Sequence, residues 1–195
     1  MFEVFIKIFV SFLVIIDPLA SAVYFLGISK KFTNQEKIGA INFATLIAGV
    51  TLVFFLITGP FLLSILGIDI SSFQIAGGLV LLLISIKFAL GTFLTKEEVV
   101  NKQTSIMIIG VPLITGPGVL TTTIIMVGEY GHLVTFVAAM AALAVTWVIL
   151  KFGDVIYKFV GEKWMEIVSR LMGLLLAAIA VEFIAKGVIV VLKLR

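Results

Sequence analysis

The sequence predicts an all-α integral membrane protein. Six transmembrane helices form two inverted three-helix repeats, with helices one and four interrupted mid-membrane. Three observations lead there. The first is composition: of 195 residues, 62% are hydrophobic and 13% charged, about half the charged share of a soluble domain, and the mean hydropathy is +1.29. At roughly 20 apolar residues per span, that content suffices for about six helices and uses nearly the whole chain. The second is the presence of six apolar segments set apart by polar breaks. The third is a proline in the interior of the first and the fourth segments, at matching positions.

Composition also excludes several classes. A water-soluble domain, a disordered chain and a nucleic-acid binder do not fit such hydropathy. The net charge of +3 comes from lysines lying between apolar runs rather than along one face. With no cysteine, disulfides, thiolate zinc sites and cysteine nucleophiles are excluded.

The segments run Val4–Ile28, Ile38–Thr58, Phe73–Phe93, Ser105–Gly128, Val134–Phe152 and Arg170–Leu192. The short connections between them make residues 1–195 a single transmembrane domain, with no enzyme domain in water. The first segment is read as a retained helix rather than a signal peptide, because Glu3 stands near its start and Asp17-Pro18 interrupts its core.

Basic residues choose the orientation. Lys30, Lys31 and Lys37 follow span one, Lys96 and Lys102 follow span three, and Lys151, Lys158, Lys163 and Arg170 lie between spans five and six. The alternate loops, Gly59–Ser72 and Glu129–His132, carry neither Lys nor Arg. The odd-numbered loops are therefore expected in the cytoplasm and both termini outside, against the lesser weight of Lys193 and Arg195. A multi-pass protein of the cell (plasma) membrane is the expected location.

The halves, about 1–95 and 96–195, resemble each other. At an offset of 95 residues, Gly78, Leu79, Leu81, Ile84 and Phe88 align with Gly173, Leu174, Leu176, Ile179 and Phe183. At an offset of 99, Ile16-Asp17-Pro18-Leu19 aligns with Thr115-Gly116-Pro117-Gly118. Three spans per half is an odd number, so the halves have opposite orientation. Inverted repeats with helices broken at corresponding positions point to a secondary transporter with a midplane site.

The two breaks have their own chemistry. Proline lacks an amide proton and stops a helix, yet suits the first position of a new one, and Asp is a strong N-cap. Asp17-Pro18 therefore reads as cap and first residue of a restarting half-helix. Thr115-Gly116-Pro117-Gly118 reads as a looser version whose glycines let backbone approach a ligand. Two helix starts present free amides and positive dipole ends, which suit a carboxylate, and Asp17 suits an ammonium group or a coupling cation. A small α-amino acid zwitterion fits both, with Ser21 and Thr121 among the small residues lining the pocket. The competing reading is that Asp17 only caps its own helix.

Among other ionisable groups, Glu182 lies deep in its span and is either a proton carrier or a structural partner of Lys186. Lys87 is expected to snorkel to the interface. Asn42 and Gln74 are read as interface residues, and His132 as a solvated loop residue. Trp164 is read as an interfacial anchor. Small residues Ala138, Ala139, Ala141, Ala142 and Ala144 in span five, and Ala76, Gly77 and Gly78 in span three, serve packing.

Ile16-Asp17-Pro18, Phe73-Gln74-Ile75-Ala76-Gly77-Gly78 and Val111-Pro112-Leu113-Ile114-Thr115-Gly116-Pro117-Gly118 resemble signatures of the MarC family of six-span membrane proteins, over the whole chain. Its SnatA relatives are small neutral amino acid transporters. The resemblance implies glycine or alanine transport driven by an ion gradient, of protons or alternatively sodium. Ser21-Ala22 departs from the Gly-Asn type of sequence that follows Asp-Pro in many members.

The expected partners are a small neutral amino acid and the lipid bilayer, without nucleic acid, cofactor or metal; monomer and homo-oligomer both remain open. A channel or exporter for other small polar solutes would use the same breaks. No Walker A sequence, intramembrane histidine, H-E-x-x-H or G-x-S-x-G occurs, so direct ATP coupling is excluded and an intramembrane enzyme is not expected.

Overall fold

The computed structural model describes residues 2–29, 32–90 and 116–193. These form eight helices and, among the described residues, no strand: α1 (Phe2–Ile16), α2 (Pro18–Ile28), α3 (Asn34–Ile65), α4 (Ile70–Ala89), α5 (Pro117–Tyr130), α6 (His132–Lys151), α7 (Gly153–Val160) and α8 (Glu162–Lys193). Among the described residues, five stretches are long and apolar enough to cross a membrane: Phe2–Gly27, Asn34–Ile65, Ile70–Ala89, His132–Lys151 and Lys163–Leu192. Helix α5 has 14 residues, about 21 Å at 1.5 Å per residue, too short for a hydrocarbon core about 30 Å thick. Residues 105–115 of the expected fourth span lie outside the described residues, as do Lys30, Lys31, Lys96 and Lys102.

Helix α3 begins with a capping box. Thr33 Oγ1 accepts the Glu36 amide at 3.3 Å, and Glu36 Oε2 accepts the Thr33 amide at 2.8 Å. The sequence pattern ends this span at Thr58, but the helix continues through Pro60 to Ile65. Pro60 removes only one donor, and Phe61-Leu62-Leu63 prolong the apolar stretch. In apolar surroundings each unpaired backbone group costs several kcal/mol, so the helix persists. Helix α8 likewise starts two turns before the expected Arg170. Met165 and Ser169 lie buried one turn apart on its inner face, and Arg170 pairs with Glu166 at 2.6 Å outside. The connection between spans five and six contains α7, a short amphipathic helix tied to α3 by Lys37 and Asp154 at 2.9 Å. Gly161, at φ 79°, makes the turn into α8 that a side chain would hinder.

The core combines large side chains such as Phe12, Leu52, Leu81 and Ile125 with small residues at helix contacts. In α3, Ala40, Ala44 and Ala48 are buried, whereas Leu46, Val50, Phe54, Ile57 and Phe61 are exposed. Lipid gives large side chains no reason to turn inward, while small ones let helices approach closely. Helix α5 is enclosed by α1, α3, α4 and α6, and Thr121 through Val127 are all buried.

The most extensive pairing joins α4 and α8, and it is reciprocal. A Cβ on Gly78 would meet Ile184 Cγ1 at 2.7 Å and the Ala180 carbonyl at 2.8 Å. A Cβ on Gly173 would meet the Ala89 amide nitrogen at 2.8 Å. Adding the 95-residue offset to Gly78 and Ala89 gives Gly173 and Ile184, so each contact is the counterpart of the other. Gly187 approaches the Ser71 carbonyl. Residue numbers rise on α4 as they fall on α8, so the helices run antiparallel.

Candidate functional site

Asp17 is the single residue between α1 and α2, and the one non-glycine residue with positive φ among the described residues, at φ 40° and ψ 74°. Asp tolerates this region better than most residues because its short side chain can bond locally. The backbone ladder crosses the break: the Asp17 amide donates to the Leu13 carbonyl at 3.0 Å, and the Ser21 amide donates to the Asp17 carbonyl at 3.0 Å. Between these bonds the pattern is exchanged. The Ala20 amide donates to Asp17 Oδ1 at 3.1 Å, and the Ser21 hydroxyl donates to the Ile16 carbonyl at 3.2 Å. Pro18 occupies the first helical position. The capping role expected of Asp17 is therefore present in detail.

The carboxylate is only 2% exposed, and its second oxygen accepts the Ser169 hydroxyl of α8 at 2.8 Å. A buried carboxylate needs such partners. The sequence does not point to Ser169: it lies 152 residues from Asp17, ahead of the position where the apolar pattern starts the last span.

The second restart is built differently. Gly116 precedes α5 at φ −59° and ψ 172°, Pro117 heads the helix, and no side chain of the N-cap residue bonds the first turn. The Gly116 carbonyl accepts the Val119 and Leu120 amides at 2.9 and 3.2 Å. Thr115 lies outside the described residues.

The structure brings the two breaks together. A Cβ on Gly118 would stand 3.4 Å from Ile15 Cγ2 and 2.6 Å from Leu81 Cδ2, so the α5 start abuts the end of α1, two residues before Asp17. Thr121, one turn into α5, packs its methyl group onto Gly77 of α4. The three sequence motifs meet here. Ser21 and Thr121 are both buried. Thr123 bonds back to the Val119 carbonyl at 2.8 Å, while the buried Thr122 hydroxyl has no partner.

Glu182 is not at the breaks. It lies 13 residues beyond Ser169 on α8, about 20 Å along the helix axis. Its side chain is 61% exposed and stands 3.8 Å from Lys186, the structural partner that the sequence offers it. Gln74, expected as an interface residue, is instead buried and donates to Glu129 Oε1 at 3.0 Å. Lys186 Nζ lies 3.4 and 3.3 Å from the two Glu129 oxygens. The apolar pattern puts Glu129 in a connecting loop, which hides this role. Asn42 accepts the Trp147 indole N–H at 2.8 Å, and His132 and Trp164 are exposed.

The comparisons with known proteins agree over almost the full length. The family described as MarC family integral membrane protein matches residues 2–192. A UPF0056 membrane protein of Buchnera aphidicola subsp. Baizongia pistaciae is 29% identical, covering 95% of this chain and 93% of its own. One of Archaeoglobus fulgidus is 28% identical, covering 94% and 91%. One of Aquifex aeolicus is 29% identical, covering 97% and 94%. No solved structure matches the chain.

Proposed function

The chain belongs to the MarC family of integral membrane proteins, and on that premise we propose that it is an ion-gradient-driven secondary transporter of small neutral amino acids, glycine and alanine. The zwitterion binds between the restarts at Asp17-Pro18 and Gly116-Pro117. One observation carries this reading: the proline-headed start of α5 packs against Ile15 at the end of α1, two residues before the break that opens the proline-headed α2.

The difference between the starts assigns the charges. The Ala20 amide of α2 is already capped by Asp17, whereas α5 has no side-chain cap. The positive dipole end of α5, with Thr115, Gly116, Pro117 and Gly118, receives the carboxylate. Asp17 receives the ammonium group in exchange for the Ser169 hydroxyl. Ser21 and Thr121 restrict the substrate side chain. Glu182 takes the coupling proton at the far end of α8, with sodium as the alternative coupling ion. The protein acts without catalytic residues, metal or cofactor.

The architecture proposed with this function has six spans, residues 105–115 supplying the first part of the fourth, in two inverted repeats. The antiparallel, reciprocal contacts of Gly78 and Gly173 support the repeat. In the cell membrane, the end bearing Lys37, Lys151 and Lys158 faces the cytoplasm and the termini lie outside.

The test is glycine counterflow in proteoliposomes, with proton and sodium gradients imposed separately. The expected result is saturable exchange and accumulation driven by the proton gradient. Steady, unsaturable conductance would assign the same breaks to a channel, and absence of any glycine flux would overturn the reading.

A further inference from the structure

We propose that the cavity lined by Gln74, Glu129 and Lys186 is a second, outer docking station for the zwitterionic backbone of an α-amino acid, which loads the central site. The station rests on the transporter reading for its ligand, but on different residues for its chemistry. The cavity is about 790 Å³ and lies where the α3–α4 turn, the end of α5 and the late turns of α8 converge, with Pro60, Leu63, Asp69 and Ile189 also in its wall.

The central ion pair is poorly seated. Lys186 Nζ straddles the Glu129 oxygens at 3.4 and 3.3 Å, longer than the ~2.7–2.9 Å of a charge-assisted hydrogen bond. The same ammonium stands 3.8 Å from Glu182, so it is shared between two carboxylates. Both partners are partly exposed, 32% for Lys186 and 20% for Glu129. Gln74 holds Glu129 Oε1 at 3.0 Å, fixing the acid, whereas Lys186 is held, among the described residues, only by the two carboxylates.

Glu129 is also misplaced as a helix stabiliser. It occupies the last turn of α5, where the negative end of the dipole disfavours an anion. Tyr130 beside it accepts Lys7 Nζ at 2.9 Å, which brings a second cation to this end. An α-amino acid presents an ammonium and a carboxylate about as far apart as Glu129 and Lys186 now stand. Its insertion replaces one stretched pair with two complementary ones, carboxylate on Lys186 and ammonium on Glu129, without changing the net charge. A lone cation or anion leaves one side chain unmatched. The station and the central break share one element: from Pro117 to Glu129, α5 rises about 18 Å.

The chain has no cysteine, which makes the test direct. A single thiol introduced by Ser64→Cys, in the cavity wall, is labelled with a membrane-impermeant maleimide in proteoliposomes. Glycine is expected to slow labelling at least about fivefold, while glycolate and methylamine at equal concentration do not. Protection should survive Lys186→Arg, vanish in Glu129→Gln and in Lys186→Gln preparations that remain monodisperse, and persist with Asp17→Asn, which disables the central site.

Protection by methylamine alone would make this a cation site, and protection by glycolate alone an anion site; either overturns the proposal. Loss of protection in Asp17→Asn would trace it to the central site and also overturn it. Glycine counterflow without protection removes the station and leaves the transporter reading intact. Protection without counterflow keeps the station and removes that reading.

Discussion

The two helix restarts do the same geometric job with different chemistry. At Asp17-Pro18 the chain enters the left-handed region at φ 40° and is held by its own carboxylate, which reaches forward to Ala20 and across to Ser169. At Gly116-Pro117 the backbone is ordinary, and no side chain of the cap residue closes the first turn. The scaffold beneath is more even-handed, since Gly78 and Gly173 make counterpart contacts. The proposed repeat thus carries one restart closed by a charge and one without a side-chain cap. That asymmetry is what a site for a zwitterion needs.

The comparison breaks most visibly at Asp17. Asp17→Ala loses the cap, at about 1 kcal/mol, and leaves the Ser169 hydroxyl buried without its acceptor, at about 1–3 kcal/mol. It also puts alanine at φ 40°, at about 1 kcal/mol more. A loss of about 4 kcal/mol is expected, read as a lowered unfolding midpoint of the purified protein in detergent. A loss below about 1 kcal/mol would mean that the first restart does not depend on its charge.

The scaffold is tested next. Gly78→Ala and Gly173→Ala each drive a Cβ against backbone atoms at 2.8 Å, and overpacking of this kind costs about 1–3 kcal/mol. The two losses should agree with each other to about 0.5 kcal/mol. Gly39→Ala, in a helix with nothing within 4 Å of the new carbon, should be neutral or slightly stabilising. Unequal glycine costs would show that the halves have diverged in packing as well as in chemistry.

The smallest change in stability is the most pointed. Gly116→Asp gives α5 the kind of cap that α2 has. Asp exceeds Gly as an N-cap by only a few tenths of a kcal/mol, so the unfolding midpoint should barely move. The new carboxylate would place a negative charge at the helix start assigned to the substrate carboxylate, and glycine binding measured by calorimetry should fall at least about tenfold. Unchanged binding would take the carboxylate site away from the α5 start.

Asp17-Pro18 is legible in the sequence because its signal is local: a residue without an amide proton follows a strong cap inside an apolar run. The glycines of α4 and α8 are legible through their repeat. What escapes is set by tertiary contact. Ser169 looks like an ordinary loop serine until α8 is found to start at Glu162 and turn Met165 and Ser169 inward. Gln74 and Glu129 sit near segment ends, and only the convergence of α4, α5 and α8 makes them partners. The true end of α3 escapes because a helix in apolar surroundings continues through Pro60, where freed backbone groups find no solvent. Glu182 is visible as an ionisable residue, but its distance from Asp17 is not, since it depends on which turn of α8 meets the break.

Asp17→Asn in proteoliposomes tests the central claim most directly. Asn caps helices as well as Asp and tolerates positive φ, so the variant should unfold close to the parent's midpoint with the break intact. The charge is removed, and the Ser169 hydroxyl, which donates to Asp17 Oδ2 in the parent, turns to accept from the new amide NH2. Taking one partner away from a buried charge pair costs about 2 kcal/mol or more, roughly thirtyfold in affinity, so gradient-driven glycine uptake should fall by at least that factor. Uptake equal to the parent's, in a variant of equal stability, would contradict the account, leaving Asp17 a cap and nothing more.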